Sequence, residues 1–134
     1  DIALCTFNPE TYELLFSGIN NPLYYISNNE IHRIRGNRGT LGVQKDGTVF
    51  DYKYHSVQLR PKDKIYVFSD GYSDQLGGKT RRTFKSKRFR ELLLDTCHLP
   101  MMEQCDILNE TIERWRMEGN EDQTDDIIVV GIKV

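Results

Sequence analysis

The chain has 134 residues, enough for one domain around one core. Its formal charge is −2 with 38% hydrophobic and 28% charged residues, a globular composition in which nothing global points to nucleic acid or an anionic membrane. No apolar run approaches the roughly 20 residues that a membrane-spanning helix needs. The opening Asp1-Ile2-Ala3-Leu4 lacks the basic region and cleavage site of a signal peptide. The first residues already read as strand, so the chain is expected to be a piece of a longer protein, and targeting segments upstream stay open. Cys5, Cys97 and Cys105 lack metal-ligand spacing and are odd in number. They read as reduced core thiols, which implies a cytoplasmic compartment.

In chain order, residues 2–7 are β-prone and stop at Asn8-Pro9. Residues 12–17 and 23–27 read as strands. Asn28-Asn29 suits a two-residue hairpin turn, because Asn tolerates positive φ, and residues 30–35 form the return strand. Gly36-Asn37-Arg38-Gly39 breaks it, and Leu41-Gly42 opens a new segment. Asp46-Gly47 signals a second hairpin, followed by alternation over residues 49–59. The aromatic residues Tyr24, Tyr25, Phe50, Tyr52 and Tyr54 read as strand packing. Ile65-Tyr66-Val67-Phe68 reads as a buried central strand. Gly77-Gly78 and a basic run read as a loop. A helix is predicted over 86–97 and another from Pro100, with Met101, Cys105, Leu108, Ile112 and Trp115 as its core stripe. Residues 127–134 form the last strand. The expected fold is α+β, with mostly antiparallel sheets packed with a helical pair, in a single domain over 1–134.

Two acidic spots stand out. Ser69-Asp70-Gly71-Tyr72-Ser73-Asp74 follows the buried strand, and Gln123-Thr124-Asp125-Asp126 precedes the last one. A carboxylate at a strand end stands on a rigid scaffold and still reaches solvent. That suits Mg²⁺ or Mn²⁺, which take oxygen ligands and keep several waters. Gly71 lets the backbone turn sharply beside such a ligand. The plainer reading is turn chemistry, since Asp and Gly favour strand ends for local hydrogen bonding. The carboxylates converge only if the two strands are neighbours in one sheet. The basic run Lys79, Arg81, Arg82, Lys85, Lys87, Arg88 and Arg90 either docks a phosphoprotein or is a solvated loop. His32, His55 and His98 are scattered.

The segment Leu59-Arg60-Pro61-Lys62-Asp63, continuing through Ile65-Tyr66-Val67-Phe68-Ser69-Asp70-Gly71 to Asp74, resembles a motif of the SpoIIE-like phosphatases. These are relatives of the type 2C metal-dependent protein phosphatases. Thr124-Asp125-Asp126 with the apolar residues after it is similar to their closing strand, and Phe16-Ser17-Gly18-Ile19-Asn20-Asn21-Pro22 to their Gly-His-x-Pro hairpin. Leu41-Gly42 resembles their Leu-Gly turn.

The resemblance implies the C-terminal half of a type 2C-like αββα sandwich. It implies Asp70 and Asp125 as metal ligands, with Gly71 beside them, Asp74 as a ligand for an accessory metal, and Asp126 either behind the ligands or at the strand start. It implies two Mn²⁺ or Mg²⁺ ions whose bridging water attacks phosphoserine or phosphothreonine, with no protein nucleophile. Arg81 and Arg82 become substrate-binding candidates. The implied substrate is a phosphoprotein of bacterial signalling, such as an anti-sigma antagonist. Two departures accompany the match. Ile19 with Asn20 stands where the family has its hairpin histidine, and Lys62 stands in the glycine position of a Pro-Gly-Asp turn. The family's first metal aspartate and Gly-His-Gly stretch have no counterpart in the chain. The chain alone is therefore expected to be inactive and to self-associate as a dimer or by strand exchange, without nucleic-acid or membrane contact. The rival reading is a non-catalytic signalling module that keeps the fold and binds a partner protein.

Overall fold

The structure is a computed structural model that describes residues 2–40, 42 and 51–134. It begins with an antiparallel pair, β1 (Ile2–Asn8) and β2 (Glu13–Ile19). The Asn8 side chain closes their turn by accepting from the Glu10 N–H at 2.9 Å. Strands β3 (Leu23–Ser27) and β4 (Glu30–Ile34) turn back at Asn28 and Asn29, with φ of 51° and 60°. Positive φ at both central residues is what a two-residue hairpin requires, as the Asn pair leads one to expect.

The long alternating segment shortens to β5 (His55–Gln58), which pairs with β2. Asp46-Gly47, Val49, Phe50 and Leu41 lie outside the described residues. Tyr54, expected to pack, is 71% exposed and lies just before β5, outside the strand. After β6 (Lys64–Phe68) comes a single helical turn, α1 (Gly71–Asp74). The segment read as a loop is instead a small hairpin of β7 (Leu76–Gly77) and β8 (Arg82–Thr83). Its close packing explains the glycine pair, since a Cβ on Gly77 would meet the Trp115 carbonyl at 2.2 Å. Helices α2 (Ser86–Asp95) and α3 (Met101–Gly119) follow, and β9 (Val129–Lys133) closes the fold.

The strands form one sheet of order β1-β2-β5 and another of order β4-β3-β6-β9, and every pairing between named strands is antiparallel. This is the mixed α+β architecture expected. Period-2 alternation along β3 and β6 divides the core in two. Leu23 and Ile65 join Leu14, Phe16 and Leu59. Tyr24, Ile26, Tyr66 and Phe68 join Tyr72, Phe89, Leu93, Leu108 and Ile112 under the helices. Burial on both faces is why β6 reads as a continuous apolar run. Among the described residues, no helix is long and apolar enough to cross a membrane.

The core stripe of α3 runs in steps of four through Gln104, Leu108 and Ile112. Met101 and Trp115 are half-buried, and Cys105, expected in the core, is exposed. Cys5 and Cys97 are half-buried free thiols, so none of the three is a fully buried core group. Gln104 takes the core place because both ends of its amide are satisfied. Its Oε1 accepts from the Tyr66 hydroxyl at 2.7 Å, and its Nε2 donates to the Leu99 carbonyl at 2.9 Å. Lys64 is buried likewise. Its ammonium donates to the carbonyls of Cys97 and Leu99, pinning the α2–α3 turn to the sheet, while desolvation pushes its pKa down. Among the described strands β9 is a sheet edge, with Val130 and Ile132 at 48% and 45% exposure and Ile128, just before it, at 59%. A groove of about 540 Å³ separates it from α3.

The turn before β6 carries local strain. The Arg60 N–H donates to Asp63 Oδ2 at 2.9 Å, and Lys62 sits at φ 77°. Left-handed backbone costs a non-glycine residue roughly 1–2 kcal/mol. That is the physical reason for glycine in the turn this segment resembles. Lys62→Gly is therefore expected to stabilise the fold by about 0.5–1 kcal/mol after glycine's own entropy cost. A denaturant midpoint at or below that of the parent sequence would refute this.

Candidate metal-binding end of the sheet

Antiparallel pairing decides where the acidic segments fall. The end of β6 and the beginning of β9 are neighbours, with Phe68 opposite Val129 in register. Asp70 and Asp125-Asp126 therefore leave the sheet at the same end, which meets the condition set by the sequence. Ser69 fastens the two segments. Its backbone N–H donates to the Ile128 carbonyl at 3.0 Å, its hydroxyl donates to the Asp126 carbonyl at 2.7 Å, and the same oxygen accepts from the Ile128 N–H at 3.0 Å. Gly71 lets the backbones touch, since a Cβ there would lie 2.4 Å from the Asp126 carbonyl oxygen.

Asp70, Asp74, Asp125 and Asp126 are all exposed. Asp70 precedes α1 and makes no capping bond with its side chain. Asp74 accepts from the Ser73 hydroxyl at 3.2 Å. Asp125 Oδ1 accepts from the Asp126 N–H at 2.7 Å. Arg81 lies at a positive-φ turn in an ion pair with Glu121, and Arg82 is exposed on β8. Ile19 is buried at 4% exposure and offers no ligand atom.

Gln75 was not foreseen. It is fully buried, and its Nε2 donates to the carbonyls of Leu76 at 3.0 Å and Asp122 at 2.9 Å. Its Oε1 accepts from the Thr124 N–H at 3.3 Å. One amide thus holds the loop that delivers Asp125. A lone Gln between Asp74 and Leu76-Gly77-Gly78 carries no sequence signal of such a role.

The donors suit a hard divalent cation in kind, being carboxylates at a hydrated rim. They fall short in number, because no group of three or more ligating side chains comes together among the described residues.

The family profile described as Stage II sporulation protein E (SpoIIE) matches residues 1–134. The chain belongs to the SpoIIE family. Its fold is similar to the SiaA-PP2C domain of Pseudomonas aeruginosa, with 30% identity, a TM-score of 0.86 and coverage of 98% of this chain and 50% of that one. It is also similar to the phosphatase domain of the cell fate determinant SpoIIE from Bacillus subtilis, presoaked with Mn. There the identity is 18% and the TM-score 0.67, over 99% of this chain and 55% of that one. A Bacillus subtilis SpoIIE structure that includes a fragment of the regulatory domain gives 18% identity and a TM-score of 0.71, over 98% of this chain and 37% of that one. No curated protein matches. The chain thus spans about half the length of the first of these structures. Family and fold together make it part of a phosphatase domain of the PP2C type.

Proposed function

We propose that this chain supplies one half of a metal-dependent centre that dephosphorylates phosphoserine or phosphothreonine on a signalling protein. The observation that carries the reading is the Ser69 clasp, which draws the segments of Asp70 and Asp125 to one sheet end. Asp70 and Asp125 would hold Mn²⁺ or Mg²⁺, with Asp74 and Asp126 at the margin and Gly71 keeping the two backbones in contact. Such ions, when bound, activate water and neutralise phosphoryl oxygens. The chain's own residues position and hold: Gln75 fixes the loop and Ser69 fixes the spacing. Arg82, exposed on the hairpin beside α1, is available to a phosphoprotein, whereas Arg81 is already tied to Glu121.

Two carboxylates rarely hold Mg²⁺ tightly, because the ion dehydrates reluctantly. The full-length protein is therefore expected to hydrolyse a phosphoserine peptide only with Mn²⁺ or Mg²⁺ present. The 134-residue chain alone is expected to show neither turnover nor micromolar Mn²⁺ binding by calorimetry. Steady hydrolysis by the chain alone would overturn the division of ligands. Absence of metal-stimulated hydrolysis by the full-length protein would favour a non-catalytic binding module.

A further inference from the structure

The sheet end that gathers the acidic segments also gathers a basic cleft. Because β3 runs antiparallel to both β4 and β6, the start of β3 and the end of β4 lie at the same end as Asp70. There a cleft of about 520 Å³ is lined by Asn20, Pro22, Arg33, Arg35, Gly36 and Arg38. Arg33 lies on β4 and Arg35 one residue past its end, and both line this one cleft. All three arginines are exposed, and none forms an ion pair with a described residue. Arg90 of α2 adds charge on this flank. It donates to the Tyr24 hydroxyl at 3.3 Å, and Tyr24 is the register partner of Arg33. Among the described residues, none that lines the cleft is acidic.

Several guanidinium groups in one concavity, with no internal carboxylate, repel each other and gain from an external anion. Strands lie about 4.8 Å apart, so β4 stands about 10 Å from β6, roughly three residues of extended peptide. We propose that this cleft docks an acidic, carboxylate-bearing segment of the phosphoprotein substrate, next to the residue whose phosphate is presented at Asp70 and Asp125. The placement beside that centre rests on the phosphatase reading, but anion capture by the cleft does not.

The test uses full-length protein and a fluorescent, unphosphorylated peptide rich in Asp and Glu, followed by anisotropy without metal. Binding is expected, weakening with salt. The double variant Arg33→Gln/Arg35→Gln should raise Kd by about tenfold or more and flatten the salt dependence. Arg33→Lys/Arg35→Lys should recover part of the affinity, since it keeps the charge but loses the fork. Arg114→Gln, on the exposed side of α3, should bind as the parent does. An unchanged Kd in the double glutamine variant overturns the proposal. So does equal binding of the same peptide with Asn and Gln in place of its acids, or displacement of the peptide by low inorganic phosphate with no dependence on its carboxylates. A second arm compares para-nitrophenyl phosphate, too small to reach the cleft, with an acidic phosphopeptide. The double variant should raise KM for the phosphopeptide alone. If neither substrate turns over even in the parent protein, the phosphatase reading fails while the anisotropy result still stands.

Discussion

Asp70→Asn in the full-length protein is expected to remove Mn²⁺-dependent phosphopeptide hydrolysis, a loss of at least about a hundredfold, while leaving the fold intact. The side chain is exposed and caps nothing, so the change breaks no bond that holds the structure. It also lowers the repulsion among neighbouring carboxylates, so the melting temperature should hold or rise. The loss comes from one fewer negative ligand for a hard cation, which depends on ligand charge for its affinity. Near-normal turnover at saturating Mn²⁺ would remove Asp70 from the site. A lowered melting temperature would instead mark it as structural.

Phe89→Ala carries the largest expected cost in stability, about 3–5 kcal/mol. The ring is fully buried on α2 and meets Phe68 edge-on at 5.0 Å, Tyr72 at 4.6 Å and Tyr24 at 6.2 Å. Truncation leaves a cavity at the junction of β3, β6, α1 and α2, where three aromatic neighbours cannot all collapse inward. Against a typical total of 5–15 kcal/mol, this loss would leave little margin. Chemical denaturation reads it directly, and a change below about 1 kcal/mol would show that the helical layer repacks freely. Tyr72 belongs to the turn that follows Asp70, so the loosened packing should also broaden the geometry of the acidic end.

Strand segments were legible wherever a turn residue declared itself, as at Asn28-Asn29, or where burial on both faces wrote a continuous apolar run, as at residues 65–68. The acidic end was legible as two motifs, but their adjacency was not, because it depends on pairing between β6 and β9 across 60 residues of sequence. The stripe of α3 misled at Cys105, since a polar Gln104 fills the core position by satisfying its amide internally. Apolar periodicity cannot flag such a residue. The β7–β8 hairpin was hidden because basic side chains line its exposed turn, and the close packing of Trp115 on Gly77 and Gly78 reveals why it is ordered.

Strand β9 has two attachments of different kinds. Along one side it pairs with β6, and the segment leading into it carries Asp125, while among the described residues no strand pairs with its other side. A strand laid on that side would restrain the same backbone that delivers the carboxylate. Any gain in cation affinity on adding such a strand must then be matched by an equal gain in the strand's affinity when the cation is present, because the two binding equilibria share one cycle.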